Sequence, residues 1–220
     1  MSLGIFDESV GGGGHTGEKG RLRIGDIAIK REDGSTFPFR GADSFSLYHR
    51  FLLGQDIMPV VLELVAVGAN VLRVFSMYNE HGIGKVNGLG RLHPGIPGYY
   101  EKWPAFCQLL ATVGMRLEVV LLADAQDILP SSDNQQKHVD KLYNILEAEW
   151  NVSFVETCNE PFKNGVDLSR VVPRRGLILR ASGNYDVING RIPYVLDYVT
   201  THTERKFEWP RTCRAAARRA

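Results

Sequence analysis

Asn159 and Glu160 stand side by side just ahead of Pro161, at the end of an apolar run that begins near Val152. A carboxylate can give or take a proton, and a neighbouring carboxamide can hold a hydroxyl while it does so. Other reactive side chains follow the other short apolar runs. They are Asp43 and His49, Arg73 and Tyr78, Asp124 and Asp127, Asn184 and Tyr185, and His202 with Glu204. Carboxylates, an arginine, amides and histidines of this kind suit proton transfer to and from a polar substrate.

Such groups act together only if the elements carrying them converge. Strand, polar loop and helix alternate along the chain, a rhythm that predicts βαβ units, right-handed crossovers and a parallel sheet. Six strands are expected in the repeating part, near Phe39, Asn70, Leu117, Val152, Gly176 and Tyr194. Leu117 to Leu122 is apolar throughout except for Glu118, as in a strand covered on both faces. Arg73 interrupts the strand from Asn70 to Phe75, and a mid-strand arginine is costly to bury unless it meets a carboxylate.

Helices are expected from about Pro59 to Val67, ended by Gly68, and from Tyr99 to Val113, ended by Gly114. Another runs from a cap at Ser132 or Asp133 to Trp150, with Val139, Leu142, Tyr143, Leu146 and Trp150 on one face. A shorter one is expected around Asp167 to Arg175. Ser76 to Gly98 reads as a long loop, of the kind that is functional in a compact domain.

The fold class that follows is α/β: a TIM-type (β/α) barrel, incomplete at about six βα units, with a small N-terminal β-hairpin built from Arg21–Ile24 and Ile27–Lys30. A closed barrel needs eight strands, and the residues after Glu204 are enough for one helix. Residues 1–20, with the glycine run Gly11 to Gly14, are expected to be a flexible leader, and 21–220 a single barrel-type domain. The run lacks the Gly-Lys-Ser/Thr of a phosphate loop.

The 220 residues suffice for one sizeable core, and a net charge of +1 sets up no field for nucleic acid or an anionic membrane. Arg211, Arg214, Arg218 and Arg219 read as a solvated helix face. Cys107, Cys158 and Cys213 are too far apart for a zinc motif or a disulfide framework and suit a reducing, cytoplasmic compartment. No segment is apolar for the length of a membrane span, and no signal peptide is expected. His81 and His93 have no carboxylate or cysteine at ligand spacing, so neither a metal nor a cofactor is expected.

Asn159-Glu160-Pro161 at the end of a fourth strand resembles the acid/base motif of the clan of (β/α)8 glycoside hydrolases that includes family 5 cellulases and mannanases. Arg73, in Asn70-Val71-Leu72-Arg73-Val74-Phe75, resembles that clan's second-strand arginine. His202 resembles the aromatic or histidine residue after its sixth strand. Phe37-Pro38-Phe39-Arg40-Gly41-Ala42 resembles its first strand. The likeness covers roughly residues 21 to 210.

The resemblance implies a retaining hydrolase of β-linked poly- or oligosaccharides. Glu160 would be proton donor and then base, Asn159 would bind the sugar 2-hydroxyl, and a second carboxylate would lie about 5–5.5 Å from Glu160. In the clan that nucleophile ends the seventh strand, and no seventh strand is expected in these residues. Glu204 is the nearest carboxylate by topology for the role, the alternative being a surface ion pair with Arg205 and Lys206. Glu156, four residues before Glu160, would share its face at about 13 Å.

Arg73 and His202 are expected to contact substrate. The alternatives are a brace from Arg73 to Glu160 or Glu118, and a packed, neutral His202. Asp124 and Asp127 are expected to contact substrate or cap loops. Trp209, Tyr78, Tyr99 and Tyr100 are the candidates for sugar stacking, and Trp103 and Trp150 for the core. A non-catalytic carbohydrate-binding or structural relative, or a gene fragment, is the alternative function. The open sheet edges of an incomplete barrel predict a homo-oligomer or a complementing chain.

Overall fold

The computed structural model describes residues 20–25, 28–85, 88–181 and 197–198. A two-stranded antiparallel hairpin opens it, β1 (Arg23–Ile24) against β2 (Ile29–Lys30). Five parallel strands follow: β3 (Gly41–Ser44), β4 (Val71–Phe75), β5 (Arg116–Val120), β6 (Val152–Glu156) and β7 (Leu179–Ala181). Their order in the sheet is their order in the chain. This arrangement is a sector of a (β/α) barrel, with β3 and β7 as its outermost strands. The fifth expected strand is displaced from Gly176–Leu179. The strand expected at Tyr194, the leader over 1–19 and the arginine-rich tail lie outside the described residues, as do Asn184, Tyr185, His202, Glu204 and Trp209.

The pleat sorts the strand residues into two environments. Leu72 and Val74, with Leu117 and Val119, join the main core beneath the helices. Arg73 and Glu118 are register partners and stand on the other face. At the N-terminal end of the sheet, Leu22, Phe37, Val71 and Phe154 form a second small core beside the hairpin.

The helices are α1 (Leu47–Leu52), α2 (Met58–Ala66), α3 (Trp103–Ala111), α4 (Ala125–Ile128) and α5 (Ser132–Glu147). α2 ends where Gly68 takes φ +85, and α3 is followed by Gly114 at φ +73, both left-handed conformations that glycine adopts without steric cost. The α5 cap is Ser131, one residue before the expected position, and its hydroxyl accepts the Asn134 amide at 3.2 Å. Gln135, His138, Val139, Leu142, Tyr143 and Leu146 line its buried side at helical spacing. Trp150 lies past the helix, half-buried, with the Arg116 guanidinium 5.4 Å from its ring. No helix among the described residues is long and apolar enough to cross a membrane.

Two elements depart from the sequence pattern for local reasons. The segment from Asp167 to Arg175 is not helical. The Asp167 carboxylate accepts the amide and hydroxyl of Ser169, making a turn, and Pro173 then denies the helix an amide. β7 begins late because α5 holds the residues before it. Glu147 accepts the Leu177 amide at 2.8 Å, and a Cβ on Gly176 would stand 1.9 Å from the Glu147 carboxylate.

A cluster of buried aromatic rings joins α1 to α3. Tyr48 and Trp103 are both fully buried and stack with ring centroids 3.7 Å apart, and Phe106 closes the cluster edge-on. Trp103→Ala is expected to cost about 3–5 kcal/mol, read as a lower urea midpoint with an unchanged slope.

Candidate functional site

The polar residues collect at the C-terminal ends of β3 to β6, on the face away from the helices. Arg73 is the centre of the group. Its Nε and Nη2 reach the two oxygens of Glu156 at 3.1 and 2.6 Å, a bidentate pair. Nη2 also donates to Asn159 Oδ1 at 3.2 Å, and Nη1 to Asp43 Oδ1 at 3.1 Å. The Phe75 ring lies 4.7 Å from the guanidinium carbon. Arg73 therefore does brace the sheet, but through Glu156. Glu160 and Glu118, the partners expected from sequence, are not its hydrogen-bonding carboxylates. The period of two explains the choice, since Val120 and Glu156 are register partners and Glu156 sits diagonally above Arg73 on the same face.

Glu156 is wholly buried, unlike a carboxylate waiting at a strand tip. Burial pushes its carboxyl up to about 7 from 4.5, against the opposing pull of Arg73, and the charges of Glu118 and Asp43 add to the rise. Glu118 is raised chiefly by burial too, and accepts the Tyr198 hydroxyl at 3.0 Å. Burial alone would lower Arg73, but Glu156, then Glu118 and Asp43, hold it above its usual value. One guanidinium thus faces two buried glutamates and the exposed Asp43, and burial of the glutamates favours their protonated forms.

Glu160 stands one residue beyond Asn159, partly exposed, with its carboxylate 3.0 Å from Lys163 Nζ. Its backbone is left-handed, at φ 46, and so is that of Asp124 at φ 49. Both cost a side-chain-bearing residue about 1–2 kcal/mol unless held in place. Asp124 accepts the Asn79 amide at 2.8 Å, and Asp127 accepts the Asn79 carboxamide at 2.8 Å. Of their two expected roles, these bonds correspond to the loop cap.

The tyrosines differ from expectation. Tyr78 is 1% exposed, and its hydroxyl meets His49 Nδ1 at 2.7 Å. A short bridge to Leu92 folds the long loop back and draws the ring inward, so Tyr78 offers no open face for a sugar to stack on. Tyr99 is equally buried, and its hydroxyl donates to the Ser76 carbonyl at 2.6 Å. Tyr100 is half-buried and donates to His138 Nδ1 at 2.8 Å, while His138 Nε2 donates to the Leu121 carbonyl at 3.1 Å. Burial lowers His138 to about 4, which keeps this relay neutral. His49 is buried on α1 and also lowered by burial, rather than presented at a strand tip. Among the described residues no three His, Cys, Asp or Glu side chains are grouped as a metal would require.

Glu156 and Asn164 are the site residues that sequence reasoning undervalued. The signal for Glu156 was a carboxylate inside an apolar strand, while its pairing with Arg73 comes from the register between strands. Asn164 had none, since a loop contact has no period.

The class of protein defined so far is a (β/α) barrel sector with a carboxylate and carboxamide at the end of its fourth parallel strand. No family model matches the sequence, and no curated protein matches it. Solved structures do. A catalytic domain of a Thermobifida fusca endoglucanase, complexed with cellotetraose, superposes with TM-score 0.60 at 13% identity, over 90% of this chain and 70% of that one. A Thermomonospora fusca β-mannanase, complexed with mannohexaose, gives TM-score 0.58 at 11% identity, over 91% of this chain and 71% of that one. A family 5 glycoside hydrolase from Bacteroides vulgatus gives TM-score 0.50 at 14% identity, over 74% and 39%. Another glycoside hydrolase is matched over 40% of its length, so the chain spans about two fifths of these last two proteins. The chain is thus similar in fold to family 5 cellulases and mannanases, as part of their barrel.

The buried pair makes stability depend on pH in a defined direction. Folded Glu156 holds its proton up to about pH 7 whereas the unfolded carboxyl releases it near 4.5. Its contribution is complete below pH 4.5 and is lost as pH rises towards 7. Glu156→Gln is expected to flatten that part of the profile, measured as urea midpoint against pH.

Proposed function

We propose that this chain carries the acid/base half of a glycoside hydrolase site for β-linked poly- or oligosaccharides, working by a retaining two-carboxylate mechanism. The observation that supports it is the Arg73-held carboxamide of Asn159 beside Glu160, at the end of the fourth strand of a barrel sector. Glu160 gives its proton to the glycosidic oxygen and later takes one from water. Asn159 has its Oδ1 occupied by Arg73, which leaves its Nδ2 donor to meet a sugar hydroxyl. Arg73 acts through Asn159 and Glu156, while Asp124 shapes the adjoining loop. Glu204 is kept as the candidate nucleophile, and His202 and Trp209 as candidate sugar contacts.

The second reading is a carbohydrate-binding relative without hydrolysis. It is favoured by the Glu160–Lys163 ion pair, in which the chain's own cation engages the carboxylate. A panel of β-glucans and β-mannans separates the two. Glu160→Gln is expected to lower kcat by about 10²–10⁴-fold. Unchanged turnover in that variant would sink the acid/base assignment. Saccharide binding without turnover in the wild type would establish the second reading.

The outer edge of β3 has no strand partner among the described residues. Unpaired edge amides and carbonyls recruit other strands, and we infer self-association or a complementing chain at this sheet. Light scattering at micromolar concentration should give more than one chain per particle, and a clean monomer would count against it.

A further inference from the structure

We propose that Asn164 is a positioning residue for Glu160, tying the turn after β6 to the turn after β5 and so setting where the Glu160 carboxylate stands. The proposal rests on Glu160 being the acid/base group.

Asn164 is 7% exposed and makes contacts in two directions. Towards β6, its Nδ2 donates to the Asn159 carbonyl and to the Glu160 carbonyl, the latter at 3.1 Å. Its backbone amide also donates to the Glu160 carbonyl at 3.1 Å. Towards β5, its Oδ1 accepts the Asp124 amide at 2.7 Å, and its backbone carbonyl accepts the Gln126 amide at 3.0 Å. One side chain therefore bridges the two left-handed non-glycine residues of the described chain, Asp124 and Glu160. Conformations of this cost persist only where the surroundings hold them, and Asn164 is what the two turns share.

Gly165 gives independent support. It has φ +67, and a Cβ there would stand 2.7 Å from Gln126 Cβ. The two turns approach too closely for any side chain at this position. Gln135 Nε2 donates to the Gly165 carbonyl at 3.2 Å and fixes the loop from the α5 side. β6 itself does not depend on the clasp, because the Asn159 amide is paired with the Leu122 carbonyl at 2.9 Å. Opening the clasp should thus move Glu160 and leave the strand in place. A displacement on the order of 1 Å at a reacting group costs about 10²-fold in rate.

Asn164→Ala removes the clasp, and Asn164→Asp keeps the acceptor for the Asp124 amide while turning an acceptor towards two carbonyls. Asn151→Ala is the control, a buried amide remote from the site whose Nδ2 binds the Cys107 and Met115 carbonyls. On a β-linked glucan or mannan, Asn164→Ala should lose about 100-fold in kcat with KM within about twofold. Asn151→Ala should lower Tm comparably and keep kcat. Amide exchange of Asp124 should quicken about tenfold or more over the wild type in Asn164→Ala, and neither in Asn164→Asp, which keeps the acceptor, nor in the control. Activity that falls in step with Tm in Asn164→Ala and Asn151→Ala alike would overturn the proposal, as would unchanged Asp124 exchange in Asn164→Ala. A wild type that turns over no saccharide removes the hydrolase reading alone. The exchange data then decide the clasp by themselves, faster exchange supporting it and unchanged exchange overturning it.

Discussion

Arg73 sits in the middle of an apolar strand, and its guanidinium has to be satisfied there by groups from other segments. Glu156 gives it two oxygens, Asp43 one and Asn159 one. An ion pair buried to this degree is stable only when its hydrogen bonds are nearly complete. β3, β4 and β6 are thereby locked in register by charge, and Asn159 is oriented as part of the same requirement. Removing either partner would strand a charge in low dielectric, which makes this the point where sheet geometry and site geometry are one problem.

The same cluster sets the electrostatics of the site. Asp43, Glu118 and Glu156 together carry more negative charge than one arginine can offset. Burial raises both glutamates against the pull of Arg73, and the Tyr198 hydroxyl donates to Glu118. Glu160 lies outside this pocket, partly exposed and beside a lysine. Two carboxylates four residues apart therefore live in different media. Glu156 holds Arg73, and Glu160 is within reach of solvent.

Around this centre asparagines tie the loops together. Asn79 joins the long loop to Asp124 and Asp127, and Asn164 joins the turns after β5 and β6. Carboxamides suit this work because each can donate and accept in one plane without charge. Their geometry lets two non-glycine residues rest in left-handed conformations close to Glu160.

Much of the scaffold was legible in the residues. The parallel order, α2, α5 and the Asn159-Glu160 tip follow from apolar periodicity, glycine stops and the polar ends of apolar runs, all of which are local properties. β7 and the absent helix after Asp167 were not legible, because a glutamate on α5 and an Asx turn outcompeted propensity there. The sequence by itself determined that Arg73 needed a carboxylate and that Glu160 would follow the fourth parallel strand. Only the tertiary structure decided that the carboxylate is Glu156, that Tyr78 is drawn into the core, and that Asn164 spans two turns. Those outcomes depend on register and on loop-to-loop distance, which no spacing along a single chain encodes.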